Sequence, residues 1–321
     1  MKSMLRLFLL TAVLFTPLSW AEDKDMDFLM RMNHAAGNLN YDGVFLHING
    51  HRVDTLRVIH KAENNTVLER LYALNGNPRE VIRDAEKVLC FMPERKRGHA
   101  GMRSDKNTGF PGFMVNNLEA LADNYVLSTG KVERIADRQA TSLKILPRDG
   151  FRYGYELWGD KETGLLLKSV LIDVASNVIE QYMFAFINIG EEIPDSELQP
   201  MTSMDELEWH NDTNPPRNTP VSESAWQFSS LPDGYHLVNV MQRSMPMSNS
   251  QIEHMVLSDG LAGVSVFIQN NVDNLSSEAG LQSMGAVNAY TRNYDSQLVT
   301  VIGEVPAAAV KMIGDALVKR H

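Results

Sequence analysis

The 321-residue sequence predicts an α+β, β-rich protein: a large, curved, half-barrel-like antiparallel sheet with helices, then a smaller C-terminal α+β domain. Three observations predict it. Short runs rich in Val, Ile, Tyr and Phe recur along most of the chain, divided by turn residues such as Asn49-Gly50, Asn75-Gly76-Asn77-Pro78, Thr163-Gly164 and Asp259-Gly260. Helical spacing is confined to three places. Between residues 190 and 221 the strand pattern stops, and Pro194, Pro200, Pro215, Pro216 and Pro220 fall among polar and acidic residues.

The chain opens as a secretory signal peptide. Lys2 and Arg6 precede the apolar run Leu7–Phe15, and Ser19-Trp20-Ala21 places small residues before a cut. The run is too short to span a bilayer, which needs about 20 residues. No cysteine follows the cut, so no lipid anchor is expected, and the mature chain is expected to be soluble and outside the cytoplasm. Cleavage after Ala21 removes two basic residues, leaving 300 of the 321 residues and taking the formal net charge from −10 to −12. Such acidity argues against general nucleic-acid binding, which needs a basic field. The expected division is 1–21 signal peptide, 22–190 large domain, 191–221 linker and 222–321 small domain.

Within the large domain, Phe28, Leu29, Met32, Ala35, Ala36 and Leu39 form one helical stripe behind an acidic start. Strands are expected at 41–48, 52–60, 67–74, 79–83 and 87–92. After a second helix at 115–122 they resume at 125–135, 140–147, 152–158, 165–174 and 178–188. Both faces of the later strands are apolar, so both sides of the sheet require cover: helices, the second domain, the curled sheet itself or an apolar ligand. In the small domain, strands are expected at 235–243, 252–258, 261–269, 286–294 and 297–305. Pro306 opens a terminal helix at its first position, with Val310, Ile313 and Leu317 as its stripe.

No phosphate loop, His-Glu-x-x-His or Gly-x-Ser-x-Gly elbow is present. Cys90 is the sole cysteine and lies in an apolar strand without a basic neighbour; it reads as a small core residue. His47, His51 and His60 flank one hairpin, yet no further ligand completes a metal set. One cationic island stands out: Arg95, Lys96, Arg97, Arg103 and Lys106 in a Gly-containing loop that runs on to Phe110 and Phe113. Arg95, Lys96, Arg97 and Arg103 are candidates for anionic lipid head groups, with a solvated loop as the alternative.

The order of motifs resembles the RseB/MucB family of periplasmic negative regulators of sigma-E-type sigma factors. The stretches that carry the likeness are Asn75–Val81, Arg134–Arg138, Pro147–Trp158 and Thr163–Ser169, then Trp226, Leu231–Tyr235, Ser258–Leu261, Ser265–Ile268 and Val301–Pro306. The resemblance implies a large domain like the lipoprotein carriers LolA and LolB, a Gram-negative periplasmic location, no enzymatic activity and no cofactor. It implies a partner, the periplasmic region of a membrane anti-sigma factor of the RseA or MucA type, shielded from regulated proteolysis. It also implies sensing of lipid, lipopolysaccharide or mislocalised lipoprotein. On this reading Leu46, Tyr72, Leu74, Phe91, Tyr155 and Phe184 are candidates for a lipid cavity. Trp226, Tyr235, Arg243 and Phe267 are candidates for partner binding, since aromatics and Arg dominate binding hot spots. Core packing is the alternative for each. A lipid or lipoprotein carrier and an envelope hydrolase stay open as other functions, and exposed strand edges allow self-association.

Overall fold

The computed structural model describes residues 19–63, 66–102, 118–211, 219–221, 223–244, 251–270 and 279–320. A helix, α1 (Ser19–Asn38), leads into six strands: β1 (Tyr41–Asn49), β2 (Arg52–Glu63), β3 (Thr66–Ala73), β4 (Glu80–Arg83), β5 (Lys87–Met92) and β6 (Arg97–Met102). A short α2 (Leu118–Asn124) precedes β7 (Tyr125–Ile135), β8 (Arg138–Pro147), β9 (Gly154–Asp160), β10 (Leu166–Ile172), β11 (Val178–Ile189) and β12 (Glu208–Asn211). These twelve strands form one sheet in the order β12-β6-β5-β4-β3-β2-β1-β11-β10-β9-β8-β7. The chain meanders outward from β1, crosses by way of α2 to the far edge, and meanders back until β11 pairs with β1. Irregularities at Val44/Phe45, Thr129/Val132 and Leu171/Ile172 add local twist, and the sheet curls far enough for β7 to approach β11.

The inner face is filled in two parts. Leu29 and Met32 of α1 and Leu121 of α2 pack on Tyr125, Leu143, Ile145, Leu157 and Leu166. Ala35 continues into a second cluster with Tyr41, Phe45, Val58, Leu165 and Phe184.

The small domain comprises β13 (Thr219–Pro220), β14 (Trp226–Phe228), β15 (His236–Ser244), β16 (Gln251–Ser258), β17 (Gly263–Asn270), β18 (Gly280–Met284), β19 (Val287–Tyr294), β20 (Gln297–Gly303), α3 (Ala307–Ala316) and β21 (Leu317–Lys319). Its seven-stranded sheet runs β13-β15-β16-β17-β20-β19-β18, and β14 pairs with β21 apart from it. Alternation turns Val264, Val266, Ile268, Val299 and Val301 toward Ala309, Val310, Ile313 and Leu317, with Trp226 and Tyr235 closing the core.

Four elements differ from expectation. The cationic stretch is not a loop through residue 102: Pro93–Arg95 form a 3₁₀ turn, and β6 pairs with β5 throughout. Arg103, Lys106, Phe110 and Phe113 lie outside the described residues, as does the expected signal peptide through residue 18. The proline-rich segment is not plain linker. It forms 3₁₀ turns at Asp195–Leu198 and Met204–Glu206, then β12, which pairs in parallel with β6. The last helix starts after Pro306, which is its N-cap, and stops at Ala316, because Leu317–Lys319 is captured as a strand by Trp226–Phe228. Finally, β13, β14 and β18 are strands beyond the five expected in the small domain.

Candidate functional site: the inner face and the domain junction

Strand register builds a pocket on the inner face. Phe45 stands opposite Leu56 and Phe184, and His47 opposite Asp54 and Tyr182. Phe45, His47, Leu56 and Tyr182, with Leu71, Tyr72, Arg79 and Val81, line a pocket of about 320 Å³. The floor is aliphatic and aromatic, and one end is polar. His47 Nε2 lies 2.5 Å from Glu180 Oε1, to which the Tyr182 hydroxyl also donates, and the two rings stack at 4.5 Å. The His47 hydrogen bond, aided by Tyr182, holds the Glu180 carboxyl below the usual range despite burial. Burial, then Glu180, pushes the Tyr182 hydroxyl up. Glu304 of the small domain has its carboxyl raised by burial and by the charge of Glu180. Arg79 also borders a second, polar basin of about 590 Å³ with Arg52, Arg95, Asp54 and Glu94. An apolar pocket continuous with arginines suits an amphiphile with an anionic end.

Cys90 is half-buried, and burial pushes its thiol up, away from the reactive thiolate. Among the described residues no group of three or more His, Cys, Asp and Glu gathers to hold a metal, and no helix is long and apolar enough to cross a membrane.

The domain junction is the second notable feature. Arg152, at the turn before β9, is wholly buried. Its Nε donates to Asp259 Oδ2 at 2.5 Å, its Nη1 to Asp149 and its Nη2 to the Asp233 carbonyl. Its guanidinium lies 4.6 Å from the centre of the Tyr235 ring. Asp259, also wholly buried, accepts from the Tyr125 hydroxyl at 2.9 Å and from the backbone N–H groups of Leu261 and Ala262. The Tyr235 hydroxyl donates to the Phe151 carbonyl. Beside this polar set, Tyr153 and Leu171 pack on Ala286, and Asn288 joins the Tyr153 hydroxyl to the Val305 carbonyl.

The sequence candidates are spread over these features. Tyr72 borders the pocket, while its ring packs against Ile59, Ile193 and Leu198. Phe184 meets Phe45 edge-on at 5.9 Å. Leu46 follows the strand alternation to the other face, and Leu74 is half-exposed. Phe91 is buried against Trp209, and Tyr155 lies between the inner core and the Ala286 patch. Arg95 borders the polar basin; Lys96 and Arg97 are not among its lining, and Arg103 lies outside the described residues. Trp226 is a core residue packed on Tyr294, and Tyr235 belongs to the junction. Phe267 stacks on His254 at 4.3 Å, and Arg243 lies near enough to act on that imidazole. Sequence reasoning did not pick out Arg152 or Asp259. Both sit in stretches it marked, Pro147–Trp158 and Ser258–Leu261, but their meeting is a tertiary fact.

The model of the MucB/RseB N-terminal domain matches residues 24–202, and that of the MucB/RseB C-terminal domain matches residues 220–318. The chain belongs to the MucB/RseB family. A sigma-E factor regulatory protein RseB from Escherichia coli K12 is 29% identical over 315 residues, 95% of this chain and 93% of that protein. A sigma factor AlgU regulatory protein MucB from Pseudomonas aeruginosa PAO1 is 28% identical over 314 residues, 96% and 94% of the two chains. Among solved structures, MucB bound to periplasmic MucA covers 92% of this chain and 98% of its own, at 26% identity and a TM-score of 0.70. The P. aeruginosa MucA/MucB complex gives 26% identity, 93% and 99% coverage, and a TM-score of 0.72. The relatives of this MucB/RseB chain are thus matched through both domains.

Proposed function

We propose that this MucB/RseB chain is an exported negative regulator. It holds the extracytoplasmic region of a membrane-embedded anti-sigma factor, shields it from regulated proteolysis, and releases it when a lipid amphiphile binds. The observation that carries the first step is the full-length match, through both domains, to MucB chains that are bound to MucA. Arg243 and Phe267 are the candidates for partner contact that lie outside the small-domain core. For the lipid step, the lining of the apolar pocket supports Tyr72 together with Phe45 and Leu56, and the polar basin supports Arg95 with Arg52 and Arg79 for an anionic end. A lipid that binds one arrangement better weakens the peptide by the same factor as the peptide weakens the lipid.

The test is calorimetric titration of the mature chain with the exported segment of its anti-sigma partner, alone and with lysophosphatidylglycerol below its micelle concentration. Binding in the micromolar range or tighter, weakened 5- to 150-fold by the amphiphile, is expected. No peptide binding would overturn the regulator reading. Binding unaffected by the amphiphile would retain the regulator and remove the sensor. The pocket alone also supports a carrier, which would bind the amphiphile without binding the peptide.

A further inference from the structure

We propose that the Arg152–Asp259 pair is a two-state latch between the domains, and that the Asn124–Tyr125 joint at the end of α2 is where the inner-face core bears on it. Three turns distant in sequence converge here: Asp149–Arg152 of the large domain, and Asp233–Tyr235 and Asp259–Ala262 of the small one. Each side-chain nitrogen of Arg152 has its own acceptor, and both oxygens of Asp259 are filled. Both side chains are wholly removed from solvent. Such a set is satisfied only in one placement. A small slide leaves buried charge unpaired, so the domains are either seated or separated far enough for water to enter. The apolar part of the junction, Leu171 and the Tyr153 ring against Ala286, lacks that directionality, while the Tyr153 hydroxyl accepts from Asn288 and adds one neutral hydrogen bond to the seated arrangement.

The joint reaches the latch from the other side. Leu121 of α2 and the Tyr125 ring belong to the core under α1, while the Tyr125 hydroxyl belongs to Asp259. One residue earlier, Asn124 abuts Gly234. That glycine has φ +80°, and a Cβ there would run into the Asn124 amide. Leu261, two residues after Asp259, packs against the same inner-face core. A displacement of α2 therefore moves a hydrogen-bond donor of the latch and a contact of the neighbouring turn together.

The test uses the full mature chain without lipid or peptide, so its outcome is independent of the regulator reading. Hydrogen exchange is followed at the junction segments 147–158, 231–235 and 258–262, with β1–β2 as internal reference, beside small-angle scattering. Asp259→Asn keeps the shape and removes the charge. It should raise junction exchange by at least roughly 100-fold, as expected for stranding a buried charge, and expand the particle, with β1–β2 protection unchanged. Tyr125→Phe, which deletes one hydroxyl, should do so to a smaller degree. Leu121→Ala should open the junction, whereas Val58→Ala, an equally buried change remote from the joint, should lower stability without selective junction exchange; because Val58 lies in β2, this pair of variants is read against β4–β5. Wild-type exchange and scattering in both Asp259→Asn and Arg152→Gln would overturn the latch. Equal junction exchange in Leu121→Ala and Val58→Ala would overturn the role of the joint. A variant that loses protection everywhere is read through Tyr125→Phe, whose junction must still exchange faster than wild type for the latch to stand.

Discussion

Buried in the small sheet, His254 stacks on Phe267 and hydrogen-bonds Ser265 Oγ through Nε2, while its Nδ1 has no hydrogen-bond partner among the described residues. Burial, then the charge of Arg243, holds the imidazole down at about 4, against 6.5 for the free side chain. The unfolded chain therefore takes up a proton before the folded one. Stability is lost as pH falls from about 6.5 toward 4, by about 2–3 kcal/mol at the lower end. Urea unfolding of wild type and His254→Gln should converge as pH falls across that window, since the variant lacks this proton. A constant difference from pH 7 to 4.5 would show that His254 is not buried neutral. On the inner face, Leu71 lines the pocket and is only partly buried. Leu71→Trp fills space rather than forcing a packed core, so it should change stability by less than about 1.5 kcal/mol. It should weaken a fluorescent fatty-acyl probe at least about tenfold if one indole blocks the site. Unchanged probe affinity would place lipid elsewhere.

At the scale of elements, β6 and β12 depend on each other. Trp209 of β12 stands edge-on to the buried Phe91 ring at 5.3 Å and lies over Gly98 of β6. A Cβ on Gly98 would come within 2.7 Å of the indole. Gly98→Ala should therefore lift β12 and cost about 1–3 kcal/mol. The signature is a red-shifted tryptophan emission with a lower urea midpoint; an unchanged spectrum would mean that the indole has room to give. Neither strand was legible in the sequence, for physical reasons. Arg97-Gly98-His99-Ala100-Gly101-Met102 has almost no apolar alternation, and its strand state comes from pairing with β5. Glu208–Asn211 finds a parallel partner more than 100 residues away, which no local pattern announces. By contrast β1, β2 and β11 carry their own apolar alternation, and Asn49-Gly50 fixes the register of the first hairpin. Leu317 fits the helical stripe of α3, so the switch to strand after Ala316 is set by Trp226–Phe228 rather than by propensity. The same division holds at the site: Tyr72, which borders the pocket, lies in a strand that the pattern predicts, whereas Arg152 and Asp259 are charged turn residues whose burial together is decided by domain docking.

Over the whole molecule, the segment after β11 is a strap on the outer face of the large sheet. Ile193 and Leu198 cover Ile59, and Asp195 pairs with Lys61. The buried Arg70–Glu80 ion pair, 2.6 Å apart, is completed from this segment: Arg70 donates to the Glu197 carbonyl, and the Met201 N–H donates to Glu80. β12 then covers Phe91. From these contacts the large domain is expected to fold as a unit through Asn211 rather than to Gly190. Fragments 22–190 and 22–211 should differ accordingly. The shorter one uncovers Ile59 and Phe91 and strips two hydrogen bonds from a buried ion pair, a loss on the order of 3–5 kcal/mol from apolar exposure and stranded polar groups together. Urea unfolding of the two fragments at equal concentration measures this directly. A midpoint for 22–190 well below that of 22–211, with earlier aggregation, is expected. Equal midpoints would show that the strap only lies on the sheet and that the large domain is complete at Gly190.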